Sequence, residues 1–259
     1  MIQPGLRVLV TGGASGIGWA IAIALQEQGA RVHLCDASQE LLARALGHQR
    51  QQPEMSGSVA DVSDVQQVER VFDDVRQCLA GLDVLVNNAG IAGPTAAVED
   101  INPDDWARTL AVNITGQFLC ARRAVPLLKA AGGGSIINLS SAAGRLGYPL
   151  RTPYAASKWA VIGFTSSLAM ELGPHNIRVN ALLPGLVHGE RIRGVIAARA
   201  EAQGVAYDEM EQQYLDQVSL RRMVAPGDVA AMALFLCSEA GRNISGQSLG
   251  VCGNVEVLR

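Results

Sequence analysis

Apolar residues fall along the chain in two alternating rhythms. Short continuous runs at 6–10, 30–35, 83–86 and 135–139 read as strands buried on both faces, and between them lie longer stretches of helical spacing. That alternation predicts a doubly wound parallel sheet with crossover helices, of α/β class. The first helix is expected over 19–28. Ser38 can cap a second through about residue 49, and Ser63 or Asp64 a third to Leu79. A short strand is expected near 58–60. Pro103 opens a long helix carrying Trp106, Asn113 and Phe118 to about Lys129, which Gly132, Gly133 and Gly134 break. Helices over 154–172 and 229–236 and a last strand over 248–252 complete the pattern. No internal repeat, low-complexity segment or linker interrupts it, so residues 1–259 are read as one domain.

The turn after the first strand carries the first chemical signal. Thr11-Gly12-Gly13-Ala14-Ser15-Gly16-Ile17-Gly18 places glycine at 12, 16 and 18 between a strand and a helix. Residues without a Cβ let the backbone approach a pyrophosphate, which would sit on unpaired N–H groups at the helix N-terminus. Asp36 closes the second apolar run, where a carboxylate would meet the adenosine ribose hydroxyls. A second small and amide-rich stretch, Asn87-Asn88-Ala89-Gly90, follows the 83–86 strand.

The strand over 135–139 delivers Ser140 and Ser141 at its carboxyl end, the edge where open α/β sheets bind ligands. Tyr154 and Lys158 follow at i and i+4, on one helix face. An ammonium beside a phenol favours the phenolate, and such a phenol can exchange a proton with a carbinol or ketone. Ser141 can hold the same oxygen.

Composition narrows the field. Of 259 residues, 49% are hydrophobic and 17% charged, which suits one α/β domain with a large core. The net charge of −3 gives no footprint for nucleic acid or an anionic membrane. No apolar run reaches membrane-helix length, and the first residues do not read as a signal peptide. The five cysteines are scattered, with no C-x-x-C pair. They are expected to be small core residues in a reducing cytoplasm. The four histidines show no metal-ligand spacing, so no metal is expected.

Over essentially its whole length the chain resembles the short-chain dehydrogenase/reductase family, classical type. The resemblance rests on Thr11-Gly12-x-x-x-Gly16-x-Gly18, Asp61, Asn87-Asn88-Ala89-Gly90, Asn113, Ser141, Tyr154-x-x-x-Lys158, Asn180 and Pro184-Gly185. It implies a Rossmann-type sheet of about seven parallel strands and hydride transfer between a nicotinamide cofactor and a secondary alcohol/ketone pair. Tyr154 would be the general acid/base and Ser141 would orient the substrate oxygen. Lys158 would bind the nicotinamide ribose and tune Tyr154, and Asn113 would hold a water in a proton relay. Asp61 and Val62 would contact the adenine. Asn88, Ala89 and Gly90 would line the cofactor floor, as Ser15 and Ile17 would the phosphate turn. The family assembles as dimers or tetramers, which implies a homo-oligomer built through residues 106–124 and 154–172.

Asp36 selects NAD, because a carboxylate repels the 2′-phosphate of NADP and no basic residue stands beside it or in the glycine turn. The alternatives are an NADPH-dependent ketone (3-oxoacyl) reductase and a non-catalytic dinucleotide-binding regulator. One departure concerns the residues after Pro184-Gly185. The threonine that often follows is absent from Leu186-Val187-His188-Gly189, which leaves Val187 backbone groups to hold the carboxamide. His188 reads as a surface loop residue or a substrate contact.

Residues 187–218 look like a substrate lid. Ile192, Val195, Ile196 and Arg199 share one helical face and Tyr207, Met210, Tyr214 and Val218 another, predicting two short amphipathic helices. Arg191, Arg193 and Arg145 are candidates for a polar or anionic substrate. Such short helices are marginal alone, so the lid is expected to be mobile without ligand and to close over a filled cleft.

Overall fold

The computed structural model describes residues 2–47 and 55–258. Its frame is a seven-stranded sheet in the order β3-β2-β1-β4-β5-β6-β7, every neighbouring pair parallel. The strands are β1 (Arg7–Thr11), β2 (Arg31–Asp36), β3 (Ser56–Val59), β4 (Val84–Asn87), β5 (Gly134–Leu139), β6 (Ile177–Pro184) and β7 (Ser248–Val251). The order reverses between β1 and β4. At such a switch point the flanking loops diverge and leave a crevice beyond the strand ends.

The period-two rule divides the core. Val8 and Val10 of β1 face one layer, with α1 (Gly16–Glu27) and α9 (Pro226–Cys237) packed together over it. Leu9 faces the other, with α3 (Val65–Leu79), α5 (Gly116–Ala130) and α6 (Thr152–Leu172). A third cluster lies beyond the strand ends. There α7 (Glu190–Gln203) and α8 (Tyr207–Asp216) pack Ile196, Met210 and Tyr214 against Tyr148, Leu186 and Leu258.

Local chemistry sets most boundaries. Asp64 caps α3, its carboxylate accepting the N–H groups of Gln66 and Gln67 at 2.8 and 3.0 Å, while the Ser63 hydroxyl turns back to Asp61. The Ser38 hydroxyl accepts from Leu41 N–H at 3.2 Å and caps α2 (Gln39–Gly47). The far end expected for that helix lies outside the described residues. Helix α1 starts inside the glycine turn, earlier than the apolar spacing suggests. Strand β3 sits upstream of its expected place because its register is set by pairing, His33 with Ser56 and Asp36 with Val59.

The long helix expected from Pro103 is not uniform. It runs as α4 (Pro103–Leu110), a π turn (Ala111–Thr115) and α5, with the Gly116 N–H reaching back to the Ala111 carbonyl. Cys78 is exposed, unlike the core cysteines Cys35 and Cys120. No helix among the described residues is long and apolar enough to cross a membrane.

Candidate functional site

A cleft of about 700 Å³ opens at the carboxyl ends of the strands, spanning the switch point. At one end lies the glycine turn. Gly12 has φ +58°, and a Cβ there would stand 2.9 Å from the Ala89 Cα. The Asn88 side chain donates to the Thr11 and Gly12 carbonyls at 3.0 and 2.8 Å. The N–H groups of Asn88 and Ala89 donate to the Thr11 hydroxyl at 3.0 and 3.1 Å. The two loops on either side of the switch point are thus one rigid floor. Ser15 and Gly16 are exposed at the start of α1, where the first N–H groups of a helix have no internal partner. Gly18 does not line the cleft as expected; it is buried, and a Cβ there would run into the Gly12 carbonyl.

Asp36 leaves the end of β2 with its carboxylate fixed by Ala14 N–H at 3.1 Å and Ser38 N–H at 3.0 Å, and it lines the cleft beside Ala37. Asp61 and Val62 line the same end. Burial works to raise the Asp61 carboxyl, but hydrogen bonds from Ser63 and Arg108 outweigh it and hold it below the ordinary range. Arg108 is tied to Asp61 at 2.7 Å and to the Ser63 hydroxyl at 2.6 Å.

At the other end, β5 brings Ser141 against α6. The Ser140 hydroxyl donates to the Lys158 carbonyl at 2.7 Å, stapling the strand end to the helix. Lys158 is buried, donates from Nζ to the Leu139 carbonyl at 2.9 Å, and stands 5.7 Å from the Tyr154 ring centre. Burial pushes its ammonium down to about 7, and the nearby Arg191 guanidinium pushes the same way. The Ser141 oxygen accepts Ala143 N–H at 3.2 Å, which leaves the hydroxyl proton to donate into the cleft.

Asn113 sits in the π turn, fully buried and off the cleft wall. Its Oδ1 accepts Ile91 N–H at 2.8 Å, and Nδ2 donates to the Ile91 carbonyl and the Ser157 hydroxyl, each at 3.0 Å. The side chain positions the segment after Gly90 and the middle of α6. Asn180 is also structural, tying β6 to Ile244 and Gln247.

The segment expected to form a lid contributes to the cleft wall. Pro184, Gly185 and Val187 line it, and Val187 pairs with Val224 in an isolated bridge. His188 lines the cleft with its N–H bonded to the Val224 carbonyl at 2.9 Å. Arg191 crosses to the floor and donates to the Gly90 carbonyl at 2.7 Å, while Arg193 turns to Glu190 at 2.5 Å. Arg145 reaches the Ser248 carbonyl and stays out of the cleft.

A family model described as enoyl-(acyl carrier protein) reductase matches residues 12–254. The chain is 35% identical to a 3α-hydroxysteroid dehydrogenase of Mediterraneibacter gnavus, over 95% of this chain and 94% of that protein. The chain belongs to the short-chain dehydrogenase/reductase family. A D-β-hydroxybutyrate dehydrogenase of Cupriavidus necator is 34% identical, over 93% of this chain and 94% of its own. Among solved structures, NAD+-bound xylitol dehydrogenase superposes with a TM-score of 0.94 at 31% identity, covering 97% of this chain and 99% of that one. An actinorhodin polyketide ketoreductase variant with NADPH gives 0.93 at 33% identity, covering 99% of each chain.

Within this short-chain dehydrogenase/reductase framework, Arg151, Tyr148 and Leu258 are among the cleft residues that escape sequence reading. Arg151 precedes Tyr154 by one helical turn, a spacing that puts the two on one face. Tyr148 and Leu258 reach the same chamber from distant positions and leave no local pattern.

Proposed function

We propose that this protein is an NAD-dependent oxidoreductase that interconverts a secondary alcohol and a ketone, with Tyr154 as general acid/base. The observation that carries the reading is the convergence of Ser141, Tyr154 and Lys158 on a cleft whose other end is the glycine turn. The cradle fits a dinucleotide. Gly12 leaves room where a Cβ would crowd the floor, Ser15 and Gly16 are open at a helix N-terminus, and the Asp36 carboxylate is held facing the cleft. Asp61, Val62, Asn88, Ala89 and Gly90 would line its adenine and nicotinamide sides, and Val187 would hold the carboxamide through its backbone.

When bound there, NAD supplies the hydride acceptor, and its reduced form the donor. Tyr154 takes the carbinol proton at its phenol oxygen, or returns it to the ketone oxygen. Ser141 donates to that same oxygen and fixes its direction. The charged Lys158 would favour the phenolate and, from its place on the Leu139 carbonyl, would hold the ribose. Since the Asn113 side chain is taken up by Ile91 and Ser157, a relay water there would rest on backbone groups of the π turn.

Asp36 supports NAD over NADP, because among the described residues the one cationic side chain lining that end, Arg108, is committed to Asp61. Initial rates with both cofactors test this. NAD is expected to be preferred by a wide margin, and Asp36→Ala with Ala37→Arg to narrow or reverse it. A wild-type preference for NADP would overturn the cofactor reading and point to a reductase. We further propose a homo-oligomer, dimer or tetramer. Phe118 on α5 and Trp159 and Met170 on α6 stand exposed on the helices that the family uses for assembly.

A further inference from the structure

The substrate end of the cleft holds cationic charge that no acid among the described residues balances. Arg151 is 2% exposed and Arg199 4%, and neither forms an ion pair among the described residues. Each gives one N–H to a backbone carbonyl, Arg151 to Ala92 at 2.8 Å and Arg199 to Pro149 at 2.9 Å. Each leaves a buried Nε without a partner. Both guanidinium groups lie on the Tyr148 ring, 5.4 and 5.9 Å from its centre.

A guanidinium cannot escape burial by losing its proton, so an unpaired one is costly. Tyr148 cannot serve as the counter-anion either. Burial raises its phenol, and its hydroxyl is shared with that of Tyr214 at 2.9 Å. The acids of the cleft are elsewhere, Asp36 at the glycine turn, the others committed to Arg108 and Arg193. Arg151 itself lines the cavity, with its guanidinium carbon 5.3 Å from the Tyr154 ring centre. Arg199, carried by the lid, stands behind it off the cavity wall.

We propose that the substrate is a short hydroxy acid whose carboxylate is received by Arg151, with Arg199 as the supporting charge. The proposal rests on Tyr154 being the acid/base, because Arg151 then stands beside the ring whose hydroxyl meets the carbinol. That proximity places the carboxylate a few bonds from the carbon that is oxidised. The apolar wall of Leu186, Ile192 and Leu258 suits the chain between and beyond them. Arg151 would add direction as well as charge, since a planar fork matches a carboxylate.

Calorimetric titration of wild-type and Tyr154→Phe protein, with and without NADH, tests the anion site without turnover. The probes are the straight-chain carboxylates from acetate to octanoate, each against its amide. At least one carboxylate is expected to bind both proteins, with its amide and the Arg151→Met variant each weaker by about thirtyfold or more. Arg151→Lys should recover part of the affinity, and Arg199→Met should lose less than Arg151→Met. Equal binding of acid and amide, undiminished binding to Arg151→Met, or no binding of any carboxylate would overturn the proposal. Should Arg151→Met not fold, Arg151→Gln and the acid-against-amide contrast in wild type decide. Turnover of 3-hydroxybutyrate against its methyl ester is read separately. Carboxylate binding with no turnover of any alcohol would sink the Tyr154 reading and leave the anion site standing.

Discussion

The two ends of the cleft are built on opposite principles. At the glycine-turn end the shape is made by backbone, and the decisive residues are those that lack atoms: Gly12, where a Cβ would crowd Ala89, and Gly18, where it would meet the Gly12 carbonyl. At the lid end the shape is made by large side chains from separate parts of the chain, Tyr148, Ile196, Tyr214 and Leu258 among them. One end is spoiled by an added methyl group, the other by a lost one. A backbone cradle suits a ligand that never changes, whereas a side-chain chamber can be altered residue by residue without disturbing the sheet.

The sharpest way to break this contrast is at the point where the ends meet. Tyr154→Phe is expected to lower turnover by roughly 10²–10⁴-fold while dinucleotide binding by calorimetry stays within a small factor, because only the proton-carrying oxygen is removed. Full activity in that variant would refute the mechanism.

Paired substitutions test the two ends separately. Gly18→Ala is expected to cost about 1–3 kcal/mol by overpacking and to weaken dinucleotide binding. Ile196→Ala, at a fully buried lid position, is expected to cost about 2–5 kcal/mol from the cavity left behind, with dinucleotide affinity kept. Denaturant unfolding and calorimetry report both quantities. Equal losses of affinity in the two variants would mean that the ends are not independent.

A smaller effect concerns pH. Lys158 titrates near 7 in the folded protein against an ordinary 10.5, because burial, helped by Arg191, opposes its charge. Between those values the unfolded chain holds more protons, so this residue makes stability rise with pH from about 7 toward 10.5. Below about 7 the full cost of the buried ammonium is present. Lys158→Met should therefore gain most over wild type near pH 6 and progressively less toward pH 9, followed by urea unfolding. A pH-independent difference would show that burial does not displace Lys158. Arg191→Ala should move the lower edge of the window upward.

The smallest expected change is in lid dynamics. Peptides across 187–218 should gain hydrogen-exchange protection when dinucleotide and a substrate analogue are both present, since the helices there have little stability of their own. Strong protection in both states would make the lid a fixed wall.

What the sequence disclosed follows the same division. Backbone demands leave residue-type signatures: glycine at 12 and 16, a carboxylate closing β2, and Tyr154 and Lys158 one turn apart can be read without coordinates. The strand periodicity likewise shows the sheet, because both faces are buried. Features that arise from pairing or long-range packing leave no such mark. Strand β3 is Ser- and Gly-rich and takes its limits from β2. The π turn at 111–115 is weak in helix propensity, with Val112, Asn113, Ile114 and Thr115, but nothing in that composition specifies a wider turn. Arg151 and Arg199 are 48 positions apart, and nothing in the sequence brings the two together on Tyr148. Asn113 and Gly18 are legible as residue types but not in their places, which lie beneath the cleft rather than on its wall.

The packing of α1 against α9 has a consequence for how the protein is made. The strands and turns of the cradle are all encoded within the first 90 residues and leave the ribosome early. The helix whose N-terminus would receive the phosphates cannot be buttressed until residues 226–237 have followed, because α9 covers its apolar side. Synthesis thus separates the writing of the cradle from its completion by about half the chain. A nascent polypeptide carries the glycine turn long before that turn is held in shape, and the face of α1 that packs on α9 stays uncovered in the interval. Truncation within α9 therefore strikes the oldest part of the molecule first.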